Sequence, residues 1–128
     1  MKLATYLHFK DNSKEAIELY RSIFNAEVVC EYLFEEGMTD NQELLGKMFH
    51  AEIKIGDQDI YLSDTGKSAT FDSMKFVVEF QDESDAKSCL DRIVQDGVLI
   101  SDFTKVPVGP IIAHAIDKLG IHWNVVIC

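Results

Sequence analysis

The chain opens with an alternation of apolar and polar positions over residues 3–10, the period of a β-strand. Asp11, Asn12 and Ser13 then offer a helix cap. From Ser13 the period becomes helical, with Ala16, Ile17, Leu19, Tyr20, Ile23 and Phe24 on one stripe and Asn25 as a stop. Residues 26–34 read as a strand, 35–46 as a polar loop, and 47–55 and 58–64 as a hairpin joined at Gly56-Asp57. Residues 65–73 are polar and form the best linker. The same order then recurs: a strand over 74–80, a helix bearing Ala86, Cys89, Leu90, Ile93 and Val94 that ends at Asp96-Gly97, an extended stretch over 98–106, and a hairpin of 111–116 with 121–128.

The expected fold is therefore α+β, built from two β-α-β-β-β modules. Module 1 covers about residues 1–64, the linker about 65–73 and module 2 about 74–128, together one domain. The repeat is one of pattern rather than of residues. A strand–helix–strand start could also open a ferredoxin-like domain, but the two hairpins favour the duplicated unit.

Composition narrows the partners. A hydrophobic fraction of 47% fills a core for a chain of 128 residues. With 12 Lys and Arg against 22 Asp and Glu, the net charge is −10. No basic cluster is present to displace counterions from phosphates, so neither nucleic acid nor an anionic membrane is expected as a partner. No leader-like start and no long apolar run occur, and a cytoplasmic protein is expected. Three cysteines (Cys30, Cys89 and Cys128) at irregular spacing read as reduced thiols. There is no GxGxxG or Walker sequence.

Strand parity selects candidate site residues. Leu7 and Phe9 belong to the helix side of the first strand, which puts Ala4, Tyr6 and His8 on the other face. Phe76, Val78 and Phe80 likewise oppose Lys75, Val77 and Glu79, and Trp123 and Val125 oppose His122, Asn124 and Val126. His50 and Glu52 share a face, and an imidazole beside a carboxylate can act as a general base. His114 lies on an apolar strand that leaves its direction open. An ordinary hydrogen-bonded histidine is the commoner role for each. Burying the Lys75 ammonium requires a partner: Glu79, Glu52 or an anionic ligand. Otherwise the side chain reaches water.

Three stretches resemble one family. His50 to Asp57, followed by Leu62-Ser63-Asp64, looks like the "HAEL.IGD….LSD" hairpin of PhnB-like proteins. Asp117-Lys118-Leu119-Gly120-Ile121-His122-Trp123 looks like their "DKFGVQW", and Tyr6-Leu7-His8-Phe9 with Glu15-Ala16, Tyr20 and Phe24 resembles their opening. These proteins belong to the glyoxalase, bleomycin-resistance and dioxygenase (vicinal oxygen chelate) superfamily. The resemblance implies curved mixed sheets around a small-molecule cavity between the modules, and a homodimer. Relatives usually carry Trp-Gly and often Arg ahead of the last hairpin, where residues 107–112 here are Pro-Val-Gly-Pro-Ile-Ile.

Metal-using relatives place their ligands at positions that fall here near Ala4, near Ile60 to Leu62, at Lys75 and at Asn124. These are poor ligands for a divalent cation, so neither a catalytic metal nor another cofactor is expected. Some relatives are labelled as demethylubiquinone methyltransferases, yet no Gly-rich methyl-donor pattern follows the first strand. The expectation is small-molecule binding in a cavity lined by Tyr6, His8, His50, Glu52, Lys75, Glu79, His122 and Asn124. The alternative is a metal-independent lyase or isomerase that uses cavity histidines, with a metal-dependent lyase or dioxygenase a more distant third.

Overall fold

The computed structural model describes residues 1–105 and 109–128. It separates into two compact units, residues 1–69 and 70–128. The Pro107-Val108 part of the altered stretch lies outside the described residues.

The first unit runs β1 (Thr5–Phe9), α1 (Ser13–Phe24), β2 (Glu27–Leu33), β3 (Met48–Ile55) and β4 (Gln58–Asp64). Its sheet has the order β1-β4-β3-β2, with β1 parallel to β4 and the other neighbours antiparallel. The second unit repeats this with β5 (Phe76–Phe80), α2 (Glu83–Val94), β6 (Val98–Lys105), β7 (Ile111–Ile116) and β8 (His122–Ile127), in the order β5-β8-β7-β6. The expected fold class and element order are those observed. The differences lie at the ends: β1 and β5 each begin two residues later than the sequence pattern suggested, and the first long loop holds a 3-10 turn, Gln42–Leu44, that buries Leu44.

Each sheet packs one face on its own helix. In the first unit Leu7, Phe9, Met48, Ala51, Ile53, Ile60 and Leu62 meet Ala16, Ile17 and Tyr20, all fully buried. In the second, Ala113, Ala115, Trp123 and Val125 meet Ala86, Cys89, Leu90 and Ile93. Trp123 lies 5.0 Å from Phe76 and is core, as its parity implied. Full burial of each large apolar side chain contributes about 1.5–3 kcal/mol.

The two helices start differently. Asp82 caps α2 locally, its carboxylate accepting from the Asp85 N–H at 3.0 Å. At α1 the expected local cap fails, because Asn12 makes no side-chain bond to the helix. Asp64, 3% exposed at the end of β4, supplies the acceptor instead. One oxygen takes the Ser13 N–H at 3.0 Å and the other takes the Met48 N–H at 2.9 Å. One carboxylate thus ties α1, β3 and β4 together. Asn25 ends α1 in the left-handed region at φ 55°, the stop read from the sequence.

Asp117 does similar work in the second unit. Its carboxylate accepts from the N–H groups of Leu119 at 2.9 Å and Ile121 at 3.1 Å, and from the Trp123 indole at 2.9 Å. Gly97 after α2 is required by space, since a Cβ there would run into the carbonyl oxygens of Ile116 and Ile93. Among the described residues no helix is long and apolar enough to cross a membrane.

Replacing Asp64 by Ala leaves two buried N–H groups unpaired, each costing about 1–3 kcal/mol. The Asp64→Ala variant should lose about 3 kcal/mol in urea unfolding. A loss below about 0.5 kcal/mol would mean that the carboxylate is not a structural tie.

Candidate functional site

The face of the first sheet opposite α1 carries a row of polar and aromatic side chains. Register places Tyr6 beside Tyr61, Tyr61 beside Glu52, and Glu52 beside Cys30. A bulge sets His50 into this row. Between Tyr32 and Leu33 of β2 the partner strand advances two residues, from His50 to Met48, so Phe49 is extra. Met48 and Ala51 can then both face the core while His50 and Glu52 share the opposite side.

A polar chain results. The Tyr6 Oη lies 2.8 Å from His50 Nδ1, and His50 Nε2 lies 3.4 Å from Glu52 Oε2. The same Glu52 oxygen accepts from the Cys30 thiol at 3.3 Å. An ionised carboxylate only accepts, so it favours the imidazole tautomer with its proton on Nε2. Nδ1 is then the acceptor for the Tyr6 hydroxyl. His8 stands edge-on to Tyr6 at 4.7 Å, and Tyr61 closes the group 5.3 Å from His50. Tyr6 is 45% exposed, so the chain is open to solvent at its phenol end.

The second sheet holds the other candidates. His122 and Asn124 lie on β8, opposite the α2 side, and Glu79 lies on β5. His114, whose direction the sequence left open, joins them: its Nε2 is 3.0 Å from His122 Nδ1. Lys75 precedes β5 and is exposed. Of the alternatives left open for Lys75, the ion pair with Glu79 is not formed, and the side chain reaches water. Glu79 instead approaches the Cys128 thiol and, after burial, helps push its pKa up. The eight predicted residues thus divide, with Tyr6, His8, His50 and Glu52 on one sheet and Lys75, Glu79, His122 and Asn124 on the other. Sequence reasoning missed Cys30 and Tyr61 as members of the first-sheet row, although both follow from register alone, and it left the direction of His114 open.

These residues do not suit a divalent metal. Ala4 has no donor, Lys75 offers an ammonium, Tyr61 a phenol and Asn124 a neutral amide. Among the described residues no three His, Cys, Asp or Glu side chains gather as a metal site. Ser63 and Asp64 form no nucleophilic pair, because both Asp64 oxygens hold backbone N–H groups.

The thiols are held protonated. Burial pushes Cys89 up to about 11. Burial and then the Glu52 carboxylate raise Cys30. The thiolate is the reactive form, so Cys89 in the native protein should alkylate about a hundredfold more slowly than an ordinary thiol. Iodoacetamide labelling followed by peptide mass analysis should find Cys128, which is exposed, modified first and Cys89 last. Early loss of Cys89 would contradict the burial assigned to it.

Comparison with known proteins agrees with this architecture. The profile of the 3-demethylubiquinone-9 3-methyltransferase family matches residues 1–126. Protein YjdN of Escherichia coli is 25% identical over 98% of this chain and 94% of its own. A PhnB protein from Bacillus cereus superposes with a TM-score of 0.86 at 21% identity, covering 100% of both chains. The fosfomycin resistance protein FosX from Listeria monocytogenes superposes at 0.71 with 12% identity, over 100% of this chain and 93% of its own. The last two likenesses establish the fold alone. The chain belongs to the family described as 3-demethylubiquinone-9 3-methyltransferase, and it shares its fold with the PhnB protein from Bacillus cereus.

Proposed function

We propose that this protein binds a small polar organic molecule on the face of its first sheet opposite α1, without a catalytic metal. The observation that carries the reading is the chain Tyr6–His50–Glu52, with Tyr6 Oη 2.8 Å from His50 Nδ1. Tyr6, Tyr61 and His8 offer ring surface, while His50 and Glu52 offer fixed polar groups, the combination typical of small-molecule sites. The poor metal ligands at the family positions support metal-free recognition. The sequence carries no Gly-rich methyl-donor pattern that would support the methyl transfer named in the family description.

The same chain favours a second reading, metal-independent proton transfer. Glu52 supports the basicity of His50, and His50 can take the phenolic proton, so Tyr6 would act as the base toward an acidic C–H of the bound molecule. The proton then rests on His50, paired with Glu52. Pairing with a second copy of the chain is proposed as well. Val29, Tyr32 and Leu33 on β2 and Val98, Leu99 and Ile100 on β6 are exposed, and both are outermost strands of their sheets.

Native mass spectrometry of freshly purified protein tests these points together. The expected species is two chains carrying an organic adduct that survives chelator treatment and is lost from His50→Ala. A single chain would overturn the dimer. Unchanged retention by His50→Ala would overturn the site. If the adduct exchanges a carbon-bound proton in deuterated water, Tyr6→Phe should slow that exchange at least tenfold while retaining the molecule.

A further inference from the structure

The second sheet carries a separate polar group that the first-sheet reading does not use. On the face opposite α2, register sets His114 beside Asn124 and Ile116 beside His122, with Val77 flanking Asn124 from β5. The His114–His122 bond at 3.0 Å joins β7 to β8 diagonally across this face. Such a bond uses one donor and one acceptor, leaving one nitrogen on each ring for another partner. The Oδ1 of Asn124 is buried, with no hydrogen-bond partner among the described residues. A buried acceptor left unpaired costs free energy that a donor from a ligand would recover.

The charge here is one-sided. Lys75 is exposed and makes no ion pair with Glu79, the acid on its own strand face. Glu79 is turned toward Cys128 at the far end of β8. From β6, Ser101 is the partner of His114 and carries no charge, while Asp102 acts on Lys87 of α2. The groups that act on His114 are therefore Lys75 and His122. Together with burial, which is the larger effect, their charge holds His114 below its ordinary value. In a protein of net charge −10, the Lys75 ammonium is thus the formal charge that acts on this histidine pair.

We propose that Lys75, His114, His122 and Asn124 bind a small carboxylate that bears a neighbouring hydroxyl group. The carboxylate pairs with the Lys75 ammonium and an imidazole N–H, and the hydroxyl donates to Asn124 Oδ1. The bound negative charge offsets the repulsion between Lys75 and a protonated His114. Binding is then coupled to proton uptake by His114, and by linkage the carboxylate binds more tightly as pH falls through the His114 range. The site lies on the second sheet and stands independently of the first-sheet reading.

The test follows the His114 ring resonances by NMR across pH, with lactate or acetate added to the full-length protein. Lactate should raise the His114 pKa by about 1, the equivalent of about tenfold tighter binding to the protonated form. Acetate, which lacks the hydroxyl, should do less. Lys75→Met should by itself raise the resting His114 value and abolish the response to both anions. Because Lys75 is exposed, this variant keeps the fold. Asn124→Leu should make lactate and acetate equivalent. The proposal is overturned if lactate leaves His114 unchanged, if Lys75→Met responds like the wild type, or if acetate matches lactate in the wild type.

Discussion

A single buried carboxylate organises the first unit. Asp64 ends β4, yet its two oxygens hold the first amide of α1 and the first amide of β3. The start of a helix has donors without intrahelical partners, and it favours negative charge. Meeting both demands from another strand fixes where α1 lies on its sheet, and so which face is left uncovered. Tyr6, His8, His50 and Glu52 occupy that remaining face. The conspicuous aspartates of the two family motifs, Asp64 and Asp117, are in this sense the scaffold.

The two units reuse one topology but load it differently. The first sheet presents a phenol, an imidazole and a carboxylate in hydrogen-bonded sequence, an arrangement suited to holding or moving a proton. The second presents two imidazoles, an amide and an ammonium, an arrangement suited to a negative group. Neither set resembles the three-ligand arrangement of a catalytic metal. Duplication supplies two equivalent surfaces, and the residues at equivalent strand positions differ between them.

Much of this was legible from periodicity. Leu7 and Phe9 against Tyr6 and His8, and Trp123 and Val125 against His122 and Asn124, follow from a two-residue repeat with one apolar face. Ala16, Ile17 and Tyr20 follow from the helical stripe. Other features were not legible, each for a physical reason. The α1 cap looked local because Asp11, Asn12 and Ser13 stand before the helix, whereas the acceptor is 51 residues away from Ser13. The bulge at Phe49 that turns His50 toward Tyr6 depends on the partner strand. The direction of His114 was hidden because Ile112 and Ile116 make both faces of β7 apolar in sequence. Lys75 reaches water rather than a carboxylate, because its place ahead of β5 leaves it exposed.

The central claim, that Asp64 holds the scaffold and leaves the opposite face free for chemistry, can be tested at one backbone amide. The Ser13 N–H opens a helix and has no intrahelical acceptor, so without an outside partner it should exchange with solvent as fast as a loop amide. Native-state hydrogen exchange resolved by NMR should instead find Ser13 and Met48 in the slowly exchanging class, with the core amides of β3 and β4. Fast exchange at Ser13, with the neighbouring helix and sheet protected, would contradict the account.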